Sequence, residues 1–143
     1  MSGRRVVVTG LGAVTPLGLD VPSLWQGLLS RRSGAGPITR FDASKFDVRI
    51  AAEVKGFDPT AWMDAKEAKR VDRFAQFGIA AAVQAVKDSG LDLSRSDPTR
   101  GGVVIGSGIG GLETLEEQYA RFMEKGPDKI SPFLIPKLMG NAA

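Results

Sequence analysis

Residues 101–122 read GGVVIGSGIGGLETLEEQYARF. A short apolar run, Val103 to Ile105, passes through Gly106-Ser107-Gly108-Ile109-Gly110-Gly111 into a stretch where Leu112, Leu115, Tyr119 and Phe122 recur at helical spacing, closed by Gly126-Pro127. Strand, glycine turn and helix in that order, with the string G-x-G-x-x-G, raise the possibility of a dinucleotide-binding unit. Such a unit also needs an acidic residue about 20 positions on, at the end of the following strand, to hold the ribose. Asp128 lies near that distance, but in the turn Gly126-Pro127-Asp128-Lys129 with no apolar strand before it. The residues therefore favour the other account, in which glycine permits close packing where a strand turns sharply into a helix. Ser107 is no better as a nucleophile: Gly-Ser-Gly is not the G-x-S-x-G elbow, and no histidine exists to activate it.

A second glycine turn lies near the amino terminus. Val6 to Val8 is an unalternating β-branched run, read as a strand buried on both faces, and it leads into Gly10-Leu11-Gly12 and Pro16-Leu17-Gly18. Thr15 stands where a third fingerprint glycine belongs. From Asp20 the period changes: Val21, Leu24, Trp25, Leu28 and Leu29 make a helical stripe with Asp20 as N-cap, Pro22 in the first turn, and Gly34 and Gly36-Pro37 as stops. Val48, Ile50, Ala52 and Val54 alternate with Arg49 and Glu53, the pattern of a half-exposed strand. One long helix is expected from Asp64, with Glu67 three residues on, to Ser89-Gly90. Its middle, Phe77 to Val83, is apolar on nearly every face and calls for neighbours. Strands separated by helices make an α/β layer architecture.

Composition narrows the chemistry further. The 143 residues contain neither cysteine nor histidine. That removes disulfides, thiolate and imidazole metal sites, and Ser-His or Cys-His nucleophile pairs from these residues. A net charge of +3 and 7% aromatic residues are too weak a signal for a nucleic-acid partner. No run approaches the roughly 18 apolar residues of a membrane span, and the basic start at Arg4-Arg5 is followed by only three apolar residues, so a cytoplasmic protein is expected. Lys66, Lys69, Arg70 and Arg73 fall at i, i+3, i+4 and i+7. On a continuous helix they form one basic stripe, either a solvated face or a docking patch for an acidic partner.

Five blocks in one order carry a family resemblance: RRVVVTGLG from Arg4, Pro16-Leu17-Gly18, DRFAQFGIAA from Asp72, Gly106 to Gly111, and Lys129-Ile130-Ser131-Pro132-Phe133. Together they resemble the amino-terminal portion of the β-ketoacyl-[acyl-carrier-protein] synthases of the elongating type II kind. The resemblance runs through residues 1–143. It implies the amino-terminal part of a thiolase-like layered α/β/α fold, incomplete as given, and a parent that carries out decarboxylative Claisen condensation of an acyl thioester with malonyl carrier protein in fatty-acid elongation.

By the same resemblance Ile109, Leu134 and Ile135 border the acyl pocket, while Lys66, Lys69 and Arg70 meet an acidic acyl carrier protein. A homodimeric parent is implied, with no cofactor and no metal. The family's cysteine follows the Pro-Phe…Asn-x-Ala region, so these 143 residues are expected to be a fragment, inactive alone and poorly soluble without their remainder. A non-catalytic partner similar to a chain-length factor is the alternative, and an NAD(P)-binding domain a distant third.

Overall fold

A computed structural model describes residues 3–143. The chain divides into two compact units, one of residues 3–57 and 81–90, the other of residues 58–80 and 91–143. In the first unit, α1 (Val21–Leu29) starts where the sequence places it. Asp20 accepts a hydrogen bond from the Ser23 backbone N–H at 2.7 Å, and Ser23 answers the Asp20 backbone, so the first turn's donors are met locally. The helix ends at Leu29, well before the glycines read as its stop. Arg31 takes the left-handed conformation (φ 52°), and the Arg32 N–H returns to Gly27 C=O at 3.0 Å, closing the last turn.

Two short strands follow, β1 (Ala35–Pro37) and β2 (Ile50–Ala52), paired antiparallel with Gly36 opposite Ala51. Ala51, rather than Ile50 and Ala52, is turned inward, so the faces are the reverse of those the alternation suggested. Glu53 fixes this arrangement: its carboxylate accepts from the Thr39 N–H at 2.9 Å, the Thr39 hydroxyl at 2.6 Å and the Arg40 N–H at 3.3 Å.

The second unit is helical. A 3-10 turn (Pro59–Ala61) precedes α2 (Ala65–Ala68), then come the first half of α3 (Arg73–Ser89), α4 (Leu112–Lys125), a 3-10 turn (Pro127–Lys129) and α5 (Leu134–Leu138). The single helix expected from Asp64 to Ser89 is two. Asp64 does open α2, accepting from the Lys66 N–H at 2.7 Å. Asp72 interrupts the helix because its buried carboxylate accepts from the Phe74 N–H and from Thr114, contacts that a continuous helix through residues 69–72 would not give it. Pro136 lies inside α5.

The two apolar runs expected as buried strands, Val6 to Val8 and Val103 to Ile105, belong to no strand and form no ladder among the described residues. Val6 is 91% exposed and Val104 99%. A strand that is apolar on both faces is stable only with strands beside it and layers above and below, and neither run has them here. The deepest hydrophobic residues are alanines, Ala43, Ala68, Ala75 and Ala80, and no large side chain among those described is fully buried.

Candidate functional site

The glycine turn that opened the sequence reading lies in the second unit, where its surroundings are specific. Gly111 is the N-cap of α4, and its N–H donates to Leu138 C=O on α5 at 3.0 Å. Gly110 has φ 82°, and a β-carbon there would sit 2.3 Å from the same carbonyl. Three residues into the motif's helix, the Thr114 N–H and hydroxyl donate to one oxygen of Asp72 at 2.9 and 2.6 Å. A helix N-terminus attracts an anion because its first N–H groups lack partners. Here the anion is the protein's own carboxylate, buried to 6% exposure, and a helix carbonyl crowds the glycines. The place a pyrophosphate needs is filled. Asp128, the one acidic residue near ribose distance, sits in the 3-10 turn just after α4 and not at a strand end.

Asp72 is the residue that sequence reasoning passed over. It opens the DRFAQFGIAA block. The readable signal was an aspartate immediately before an apolar helical run, the mark of an N-cap; its second duty, to Thr114 forty-two positions on, has no local signature.

Ile109, Leu134 and Ile135 are gathered around α5, but not equally. Ile109 rides on the turn that is fastened to the carboxyl end of α5 through Leu138, and it is 71% exposed. Leu134 begins α5 and lines an apolar groove of about 240 Å³ with Leu115, Tyr119, Phe122 and Ile130, floored by Gln118. Ile135 is outside that lining and 61% exposed. The two ends of α5 are about 6 Å apart at 1.5 Å per residue, so one short helix carries both contributions. The groove exists because the apolar stripe of α4 faces out, while Thr114 and Gln118 are buried. Those two polar side chains are drawn in by partners that need them, Thr114 by Asp72 and Gln118 by the Ser131 N–H, which it accepts at 2.7 Å.

The cations are close in sequence yet do not share a helix face. Lys66 lies in α2, Lys69 caps its end, and Arg70 follows in the connection, all exposed. Arg73 belongs to α3 and lies over the Phe77 ring at 4.8 Å, so it leaves the group. Arg70 lies over the Phe133 ring, its guanidinium carbon 5.9 Å from the centroid. A neighbouring hollow of about 480 Å³ mixes Lys69, Arg73 and Lys137 with Asp72, Glu113 and Glu117, so Lys69 borders carboxylates while Lys66 and Arg70 lie outside that lining.

The β-ketoacyl synthase N-terminal domain family matches residues 3–143, and the chain belongs to that family. Among curated relatives, the 3-oxoacyl-[acyl-carrier-protein] synthase 2 of Synechocystis sp. is 51% identical over 140 residues, covering 98% of this chain and 34% of the relative. Two solved structures share the fold. The ishigamide ketosynthase/chain length factor superposes with a TM-score of 0.78 at 32% identity, over 95% of this chain and 34% of that one. A ketosynthase solved in complex with its type II PKS acyl-carrier protein and bound to the hexaketide gives 0.76 at 26%, over 95% of this chain and 35% of the other. The chain thus spans about a third of the length of the curated relatives it matches. The thiolase-like α/β/α class expected from the sequence is the fold of these neighbours.

Proposed function

We propose that these residues are the amino-terminal third of a 3-oxoacyl-[acyl-carrier-protein] synthase, an acyltransferase of fatty-acid elongation. The observation that carries this is the 51% identity with a synthase of that name across 98% of the chain. In the proposed reaction a thiolate takes the acyl group from its carrier thioester. Malonyl carrier protein then loses carbon dioxide, and the resulting carbanion attacks the bound acyl carbon, expelling the thiolate and giving the 3-oxoacyl carrier thioester. These 143 residues hold no cysteine and no histidine, so they supply neither the nucleophile nor imidazole donors for the enolate. Their contribution is binding and shape.

Lys66, Lys69 and Arg70 are assigned to an acidic acyl carrier protein, since exposed like charges steer and orient such an encounter. That the neighbouring type II PKS ketosynthase was solved in complex with its own acyl-carrier protein supports a carrier partner. Ile109, Leu134 and Ile135 are assigned to the acyl chain, branched apolar groups beside a groove suited to an alkyl ligand. The exposed stripe of α4 and the unladdered runs at Val6 and Val104 are assigned to cover from the remaining two-thirds of the synthase and from a second copy in a homodimer. Among the described residues no helix is long and apolar enough to cross a membrane, which is compatible with the cytoplasmic setting of a carrier-dependent enzyme.

The test is condensation itself: purified full-length protein, acyl carrier protein charged with an acyl group, and malonyl carrier protein, with 3-oxoacyl product and carbon dioxide measured together. Both should form in equal amounts. Absence of product, with tight carrier binding intact, would instead support the chain-length-factor reading, which the ketosynthase/chain length factor neighbour favours as the second choice.

A further inference from the structure

We propose that Arg70 and Phe133 act as one positioning unit that couples the carrier-docking charge to the wall of the acyl site, an inference that rests on the docking and pocket assignments above. Among the three docking cations, Arg70 makes a ring contact with the segment that carries the pocket residues. Its guanidinium lies over the Phe133 ring at 5.9 Å, within the reach of a cation–π contact. A guanidinium has five N–H donors, and those turned away from the ring stay open to a carboxylate, which can take two of them in a paired fashion. Ring contact and docking are therefore compatible.

Phe133 can transmit what it feels, because its backbone is held on both sides. Its N–H donates to the Ser131 hydroxyl at 3.2 Å and its carbonyl accepts from the Lys137 N–H at 3.0 Å. Ser131 is in turn anchored to Gln118 of α4 at 2.7 Å, and the next residue, Leu134, lines the apolar groove. A second route closes the loop: two residues past Arg70, Asp72 grips Thr114, and Gly111 at the head of α4 grips Leu138 at the far end of α5. The connection that carries Arg70 and the helix that carries Leu134 and Ile135 are thus tied by hydrogen bonds at one end and by the Arg70–Phe133 stack at the other. Phe133 remains 45% exposed, so the stack is the softer tie, and a carboxylate that immobilises Arg70 immobilises the ring as well. Linkage requires the converse: a ring held by a filled pocket presents Arg70 better to the carrier.

The experiment is a double-mutant cycle in the full chain, Arg70→Lys, Phe133→Leu and the pair, read by affinity for acyl carrier protein and by the ratio of kcat/KM for octanoyl and dodecanoyl carrier. Arg70→Lys keeps the charge and loses the planar fork; Phe133→Leu touches no charge. Each single variant should weaken carrier binding about two- to fivefold, the scale of an exposed cation–π contact, and the pair should be no weaker than either single. Both should shift the chain-length ratio in the same direction, and Phe133→Tyr, which keeps a ring, should restore both readouts. Multiplicative losses in the pair, or an unchanged chain-length ratio in Arg70→Lys, overturn the coupling. Lys66→Ala with Lys69→Ala separates the levels: if that pair weakens carrier binding while the cycle is multiplicative, only the coupling fails. If it leaves binding unchanged, the docking assignment fails and the coupling with it.

Discussion

The chain makes two glycine turns after two apolar runs, and the structure secures them by different means. The turn at residues 10–19 lies against the second half of α3 and is held by side chains. Asp88 accepts from the Leu11 N–H at 2.9 Å, while Gln84 accepts from the Ala13 N–H at 3.3 Å and donates to the Leu19 carbonyl at 2.9 Å. The turn at residues 106–111 is held by backbone, Gly111 to Leu138, and by a buried carboxylate on the first turn of α4. Glycine composition alone does not distinguish them. What distinguishes them is which helix carbonyl approaches: Ala81 and Ala85 crowd Gly12 and Gly10, Leu138 and Lys137 crowd Gly110 and Gly111, and nothing approaches Gly106 or Gly108. A fingerprint string can thus be assembled from glycines with unrelated duties.

One added methyl group at each turn separates the two kinds of glycine. A β-carbon at Gly12 would lie 1.9 Å from the Ala81 carbonyl oxygen, which is helix backbone and cannot rotate away. Gly12→Ala should therefore destabilise by about 3 kcal/mol or more, at the top of the range for overpacking. Gly106→Ala meets open space and should change stability by under about 0.5 kcal/mol, as surface substitutions do. Urea unfolding of the two variants beside the parent decides it. Equal effects would mean that the glycines are not sorted by approach.

Asp72 gives the next effect. Asp72→Ala leaves the buried Thr114 N–H and hydroxyl without an acceptor and removes the Phe74 N–H contact. The expected loss is about 2 kcal/mol, the cost of orphaned buried donors. Asn should recover part of it by supplying one acceptor oxygen. Because the site then opens at a helix N-terminus, the variant also tests the reading of the glycine string: weak, saturable NADH binding in Asp72→Ala but not in the parent would show that the carboxylate is what excludes a phosphate.

How far the fold was legible follows from the range of the interactions that set each element. The start of α1 and the span of α4 could be read within a residue because those limits are local, Asp20 with Ser23 at the one and Gly126-Pro127 at the end of the other. The break between α2 and α3 could not, since Asp72 leaves the helix for a residue on another element. The outward turn of the α4 stripe was hidden for the same reason: Thr114 and Gln118 are polar by type and buried by partnership. The runs at Val6 and Val103 carry a strand's composition, yet a ladder needs a second strand, and composition names none. Family membership was readable from blocks in order, whereas the positions of Ile109, Leu134 and Ile135 around α5 depend on the turn that clips residue 111 to residue 138.

A smaller effect is expected at Arg31, where the first unit stores strain with no counterpart in the second, whose positive-φ positions are all glycine. An L-residue in the left-handed region costs roughly 1–2 kcal/mol relative to the right-handed one, and glycine's greater freedom in the unfolded chain offsets part of the relief. Arg31→Gly should stabilise by about 0.5–1 kcal/mol, seen as a raised urea midpoint at constant slope. A destabilised variant would mean that the Arg31 side chain, not the backbone turn, is what the position needs.

Acid should blur the difference between the units. Three carboxylates in the first, Asp20, Asp42 and Glu53, and three in the second, Asp58, Asp92 and Asp97, are all held below their ordinary values. In every case the main cause is a hydrogen bond from a nearby serine or threonine: Ser23, Ser44, Thr39, Thr60, Ser94 and Thr99, respectively. For Asp42 that bond comes from the Ser44 backbone N–H, and for the other five it comes from the hydroxyl. A lowered folded-state value means that the unfolded chain binds the proton first, so stability is complete above the unfolded values, 3.8 for Asp and 4.5 for Glu, and declines as pH falls through the folded ones. All six groups are at the surface, so each contributes little and the loss should be shared between the units. Thermal melts from pH 6 down to pH 2.5 should stay level above pH 5 and fall progressively below pH 4. Replacing Asp20 and Asp97 with Asn should flatten that fall by similar small amounts. A fall confined to one unit's variant would show that the caps are not equivalent, and that the units differ in the strength of their local turns as well as in how they hold their glycines.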